Sequence, residues 1–124
     1  MTDGDETSPD ARPPLRRGDV VRVRQKGVFT GKPRPAVVVQ NSDLLDDAGA
    51  VVVCLVTNER VDDPPFYRIG VRPTSRNGLQ KRSQIMADLP VPILKANVTA
   101  PIGRLSEKTL GKLNAALALF LDLG

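Results

Sequence analysis

Apolar and polar residues along the chain sort into short runs broken by Pro- and Gly-rich punctuation, followed by one longer stretch of helical period. Asp19 to Arg24 alternates, with Val21 and Val23 on one side and Arg22 and Arg24 on the other, which predicts a strand with one face buried. Ala36 to Gln40 is a continuous β-branched run and predicts a buried strand. Ala50 to Thr57 is the most apolar stretch and predicts the central strand. Phe66 to Val71 alternates again, and a further strand is expected around Gln84 to Ala87. Leu89 to Pro101 holds three prolines, which leaves room for an edge strand near Val98.

Between these runs lie loops. Gln25 to Pro35 carries three basic residues, two glycines and two prolines, so it reads as an exposed basic loop and not as a helix. Asn41 to Gly49, Asn58 to Pro65 and Pro73 to Gly78 are polar or turn-rich. Ser106 has the chemistry of an N-cap for a helix reaching about Leu123, in which Leu110, Leu113, Leu117 and Phe120 share one face. Leu119, Leu121 and Leu123 widen that apolar face, either as a broader core contact or as part of an interface between two copies. Five or six short strands and one C-terminal helix predict a mainly β domain, a small barrel with the helix packed on it.

Composition narrows what this domain can do. Aromatic residues make up 3%, so the core must be aliphatic, and no apolar run approaches the roughly 18 residues needed to cross a bilayer. Residues 1–15 hold one basic and four acidic residues and read as a disordered acidic tail unlike a signal peptide, which makes a cytoplasmic protein the default. Removing that tail from the totals leaves 17 basic and 10 acidic residues in 16–124, a net +7 that favours polyanionic partners, nucleic acid foremost. The chain has no histidine, which excludes Ser-His-Asp and Cys-His nucleophile pairs and histidine-dependent zinc sites. Its single cysteine, Cys54, falls in the most apolar run, where a thiol behaves as a small hydrophobe.

Five motifs in order carry a family resemblance. They are Arg17-Gly18-Asp19-Val20-Val21, then Gly31-Lys32-Pro33-Arg34-Pro35 running into the strand Ala36 to Gln40. Val53-Cys54-Leu55-Val56-Thr57 follows, and after it come Gly78-Leu79 with Ser83 and Asp88, and Ile102-Gly103-Arg104-Leu105. Over about residues 16–123 the chain resembles the MazF/PemK/Kid toxins of type II toxin–antitoxin systems. The resemblance implies a small SH3-like β-barrel (CcdB/PemK-like) with a C-terminal helix, formed by residues 16–124. It also implies a homodimer, neutralisation by a cognate antitoxin protein, and cleavage of single-stranded RNA at short sequence motifs, with no cofactor. The integrin-type reading of Arg17-Gly18-Asp19 is set aside, because a strand starts there and Asp19 fits a turn.

Metal-free RNA cleavage uses the substrate's own 2′-hydroxyl, which attacks the adjacent phosphorus to leave a cyclic phosphate and a 5′-hydroxyl. Arg34, between two prolines that limit its backbone freedom, matches the family's catalytic arginine and offers a bidentate fork for phosphoryl oxygens. Thr57, ending the central strand, matches the catalytic Thr or Ser. Asp88 is a weaker candidate for the base, since the arginine found two residues earlier in some members is Met86 here. Lys26, Phe29, Lys32, Arg60, Lys81, Arg82 and Ser83 are candidate RNA contacts, Phe29 through stacking, with Phe66 and Tyr67 the other aromatics available. Three alternatives stay open. One is a non-catalytic member binding only RNA or antitoxin. Another is a CcdB-like topoisomerase poison, although the chain end Leu-Asp-Leu-Gly lacks that protein's Trp-Gly-Ile. The last is an unrelated ribosome-associated SH3-like domain.

Overall fold

The computed structural model describes residues 14–24, 32–46 and 48–123. The expected acidic tail therefore lies, but for its last two residues, outside the described part, as do Lys26 and Phe29 of the basic loop. Six strands form one antiparallel sheet in the order β4-β5-β3-β2-β1-β6. They are β1 (Asp19–Val23), β2 (Arg34–Val38), β3 (Ala50–Thr57), β4 (Arg68–Val71), β5 (Ser83–Leu94) and β6 (Gly103–Arg104). The one α-helix among the described residues, α1 (Glu107–Phe120), follows, and a 3-10 turn at Ser42–Leu44 joins β2 to β3.

Period-2 alternation in the apolar strands sorts their side chains into two cores. Val20, Val37, Cys54, Val56 and Ile85 pack on the face covered by α1, with Leu113, Ala116 and Leu117 of the helix against them. Val21, Val23, Ala36, Val38, Val53 and Leu55 face the other way and pack with Leu45, Ile93 and Val98. A sheet with apolar layers on both faces explains why β2 and β3 read as continuous apolar runs. The sheet also curls into a half-barrel. After β5 the chain returns to β1, where Arg24 N–H donates to Asn97 C=O at 3.0 Å and Thr99 N–H to Arg22 C=O at 2.9 Å.

Two expectations are corrected here. The prolines do not end the fifth strand, which runs from Ser83 through Pro90 and Pro92 to Leu94. β4 pairs only with residues 83–86 of it, so both prolines fall where one side of β5 has no partner strand and a missing N–H leaves no bond unmade. The helix buries Leu113, Ala116 and Leu117, while Phe120 is 42% exposed and touches Tyr67 at 5.7 Å between ring centroids. Its N-terminus is as expected: Ser106 Oγ accepts from Thr109 N–H at 3.1 Å, a cap worth about 1 kcal/mol.

Candidate active site

The chemistry gathers where three strands end side by side. Ala36 of β2 lies opposite Leu55 of β3, and Arg34 and Thr57, two residues further on in each strand, line one cleft. Thr57 in turn pairs with Gln84 on β5. Arg34 opens β2 and is exposed, with proline on either side fixing the backbone approach to the strand. Thr57 is half-buried, and its Oγ1 accepts from Glu59 N–H at 3.0 Å. The hydroxyl thus closes the turn after β3 as an acceptor and keeps its proton to donate. Gln84, only 5% exposed, holds the loop beyond that turn: its amide nitrogen donates to Val61 C=O at 2.9 Å and its oxygen accepts from Val61 N–H at 3.2 Å.

A cleft of about 300 Å³ opens over this row. Among the described residues its charged lining is Arg22, Lys32, Arg34 and Lys81 against the single carboxylate of Glu59. Thr57 and Ser83 line it as well, Ser83 with its hydroxyl donated to Lys81 C=O at 2.8 Å. The opposite wall is Gly78 to Lys81 together with Ile102. That wall is held by Asn77, 4% exposed, whose side-chain oxygen accepts from the N–H groups of Thr74 and Leu79, both at 3.0 Å, and whose amide donates to Arg72 C=O at 2.8 Å. Gly78 has φ 70, and a Cβ there would meet the Ile102 carbonyl oxygen at 2.2 Å. A Cβ on Gly103 would meet the Asn77 backbone equally closely, so both positions need glycine.

Among the residues singled out from the sequence, the cleft brings together Arg34, Thr57, Lys32, Lys81 and Ser83. Arg60 and Arg82 are exposed on the flanking loops and are not part of its lining. Phe66 and Tyr67 stack edge to face, 5.3 Å between centroids, beside Phe120 and away from the cleft. Asp88 is half-buried on β5, past the irregularity that shifts the β3–β5 register between Cys54 and Val56. It does not line the cleft, and one of its carboxylate oxygens is buried without a hydrogen-bond partner. Its charge acts instead on Cys54, which is fully buried. Burial pushes that thiol up to about 12, Arg17 draws it down and Asp88 pushes it further up, so the thiol stays protonated at neutral pH. Asp19 accepts from Arg16 N–H at 2.8 Å and pairs with Arg104 at 2.9 Å, the turn role expected of it.

Glu59, Asn77 and Gln84 went unnoticed in the sequence. Glu59 had a signal, a carboxylate two residues beyond a strand-end threonine, which is the spacing of a hydroxyl-closed turn. Nothing local marks Gln84, whose role exists only through its partner strand.

A small curled antiparallel sheet with a C-terminal helix and a cationic cleft at its strand ends defines a class of small, basic barrel-like proteins suited to a polyanion. Residues 16–121 match the family described as PemK-like, MazF-like toxin of type II toxin-antitoxin system, and the chain belongs to that family. Among its relatives is the probable endoribonuclease MazF of Mycolicibacterium smegmatis, 33% identical over 109 residues, covering 88% of this chain and 98% of that protein. Endoribonuclease MazF9 of Mycobacterium tuberculosis is 32% identical over 117 residues, with the same shares covered. In fold the chain resembles an endoribonuclease solved in complex with its cognate antitoxin from a mycobacterial species, with TM-score 0.74, 24% identity, and 89% of this chain and 97% of that one covered. It is similar also to the MazF of a MazE–MazF complex from Deinococcus radiodurans, with TM-score 0.74, 17% identity, and 90% of this chain and 100% of that one covered.

Proposed function

We propose that this toxin is an endoribonuclease that cleaves single-stranded RNA at the Arg34–Thr57 row without a metal, arresting translation until its antitoxin binds. The reading is supported by Arg34 and Thr57 lining one cationic cleft. The relatives named as endoribonucleases support the reaction class.

The 2′-oxygen gives its proton to a base and attacks the neighbouring phosphorus, the bond to the 5′-oxygen breaks, and that oxygen takes up a proton from water. Arg34 donates two parallel hydrogen bonds to the phosphoryl oxygens as charge builds on them, a form of stabilisation that needs a charged group fixed in advance. The prolines on either side supply that fixity. Thr57 donates a hydrogen bond from its hydroxyl to the same phosphate, held in place by its bond from Glu59 N–H. Glu59 is the one carboxylate lining the cleft among the described residues, and in this proposal it takes the base role for the 2′-hydroxyl in preference to Asp88. Lys32 and Lys81 track the backbone phosphates on either side. No helix among the described residues is long and apolar enough to cross a membrane, and the proposed place of action is the cytoplasm, where mRNA is. The protein is proposed to act as a homodimer, a reading supported by exposed Leu119, Leu121 and Leu123 at the end of α1.

The end groups of the products test the chemistry. Fragments carrying a 5′-hydroxyl, labelled by polynucleotide kinase without prior phosphatase, and a 2′,3′-cyclic phosphate are expected. A 5′-phosphate on the downstream fragment would contradict attack by the 2′-hydroxyl.

A further inference from the structure

Next to the cleft, and sharing Ile102 with it as a common wall, is an open recess around Arg16, Arg76 and Arg104. Three separate segments supply these arginines, and each is pinned at its backbone. Arg16 opens the turn into β1, its N–H bonded to the Asp19 carboxylate and its C=O to Asp19 N–H at 3.0 Å. Arg76 precedes the buried Asn77, and its carbonyl accepts from Arg104 N–H at 2.7 Å. Arg104 lies on β6 with its guanidinium against Gly18 and paired to Asp19 at 2.9 Å.

The charges do not balance. Among the described residues Asp19 is the only carboxylate lining the recess, and its ion pair is with Arg104. Arg16 and Arg76 are exposed, and neither guanidinium is committed to a carboxylate among the described residues. Three cations converge on one anion, at backbone positions fixed by hydrogen bonds, beside a cleft that holds four more basic residues.

We infer that this recess is an anion subsite that takes the backbone phosphate of a nucleotide flanking the cut, extending the RNA path from the cleft over Ile102. The inference rests on the endoribonuclease reading above. A phosphodiester suits the recess because planar guanidinium groups bind phosphate oxygens bidentately and stay charged. The shared wall favours RNA over an acidic polypeptide, since one strand can fill the cleft and the recess without a break. The recess carries no base-reading role, because contacts to phosphate fix position along a strand and contacts to base edges fix sequence.

The test uses the whole chain and an RNA whose cut site the wild type has mapped, made uncleavable by a 2′-deoxy substitution there. Affinity is read by fluorescence anisotropy across a salt series for wild type, Arg16→Ala/Arg76→Ala, and Lys108→Ala/Lys112→Ala, which removes two exposed charges from α1 instead. The arginine variant is expected to bind on the order of tenfold more weakly, with a salt slope shallower by about 0.7 for each phosphate no longer neutralised. The lysine variant should bind like wild type. RNA trimmed from the end that reaches the recess should bind wild type and arginine variant alike, and the cut position should stay the same. If the arginine variant binds and cuts like wild type, the recess is overturned and the endoribonuclease reading stands. Retained RNA affinity together with lost binding of a polyglutamate peptide would reassign the recess to an acidic protein segment and overturn the proposal. A wild type that neither binds nor cuts RNA overturns both.

Discussion

At the scale of single residues, the site is built from side chains whose roles differ by environment more than by type. Among the described residues the cleft holds four cationic side chains and one carboxylate, so the proton acceptor is set by position, not by abundance. Glu59→Gln keeps the size and the polar character of the side chain but cannot take the proton from the 2′-hydroxyl. Cleavage by that variant should fall by about 100-fold or more at neutral pH, as expected when a general base is removed. RNA affinity should change little, and single-turnover kinetics at saturating enzyme separate the two effects. An Asp88→Asn variant that lost as much activity while Glu59→Gln kept it would return the role to Asp88. Cys54 illustrates the opposite case. Full burial leaves its thiol protonated and out of reach, so it acts as core and not as chemistry.

At the scale of elements, the cleft depends on pieces that the one-dimensional pattern reads unevenly. β1 and β3 were legible to the residue or nearly so, because alternation or an unbroken apolar run reports burial directly. Arg34 and Thr57 were legible as candidates, yet only the pairing of β2 with β3 brings them to one cleft, and register is a property of pairing. The far half of β5 was hidden by Pro90 and Pro92, whose local preference against strand is overridden where no neighbour needs their N–H. The Asn77 turn was legible as a turn, though not as the brace of the cleft wall. Replacing Asn77 with Ala leaves the N–H groups of Thr74 and Leu79 and the Arg72 carbonyl without their partner. Of the three, the Leu79 N–H is the buried one, and since an unsatisfied buried polar group costs about 1–3 kcal/mol, Asn77→Ala should lose about that much stability in urea unfolding. An unchanged unfolding midpoint would show that the turn holds its shape without the side chain.

At the scale of the whole molecule, one strongly basic domain presents its cleft and its arginine recess on adjoining surface, joined at Ile102. The net charge of the folded part was legible from the sequence, whereas its concentration around two neighbouring hollows emerges only when residues 16, 22, 34, 76, 81 and 104 are brought together in space. The central claim is that this surface cuts RNA through Arg34 and without a metal. Its most direct test is incubation of the purified, antitoxin-free protein with a long single-stranded RNA in excess EDTA, beside an Arg34→Ala variant of confirmed fold. Discrete cuts by the wild type and none by the variant are predicted. Intact RNA in both reactions, or cuts by the wild type that vanish on chelation, would contradict the account.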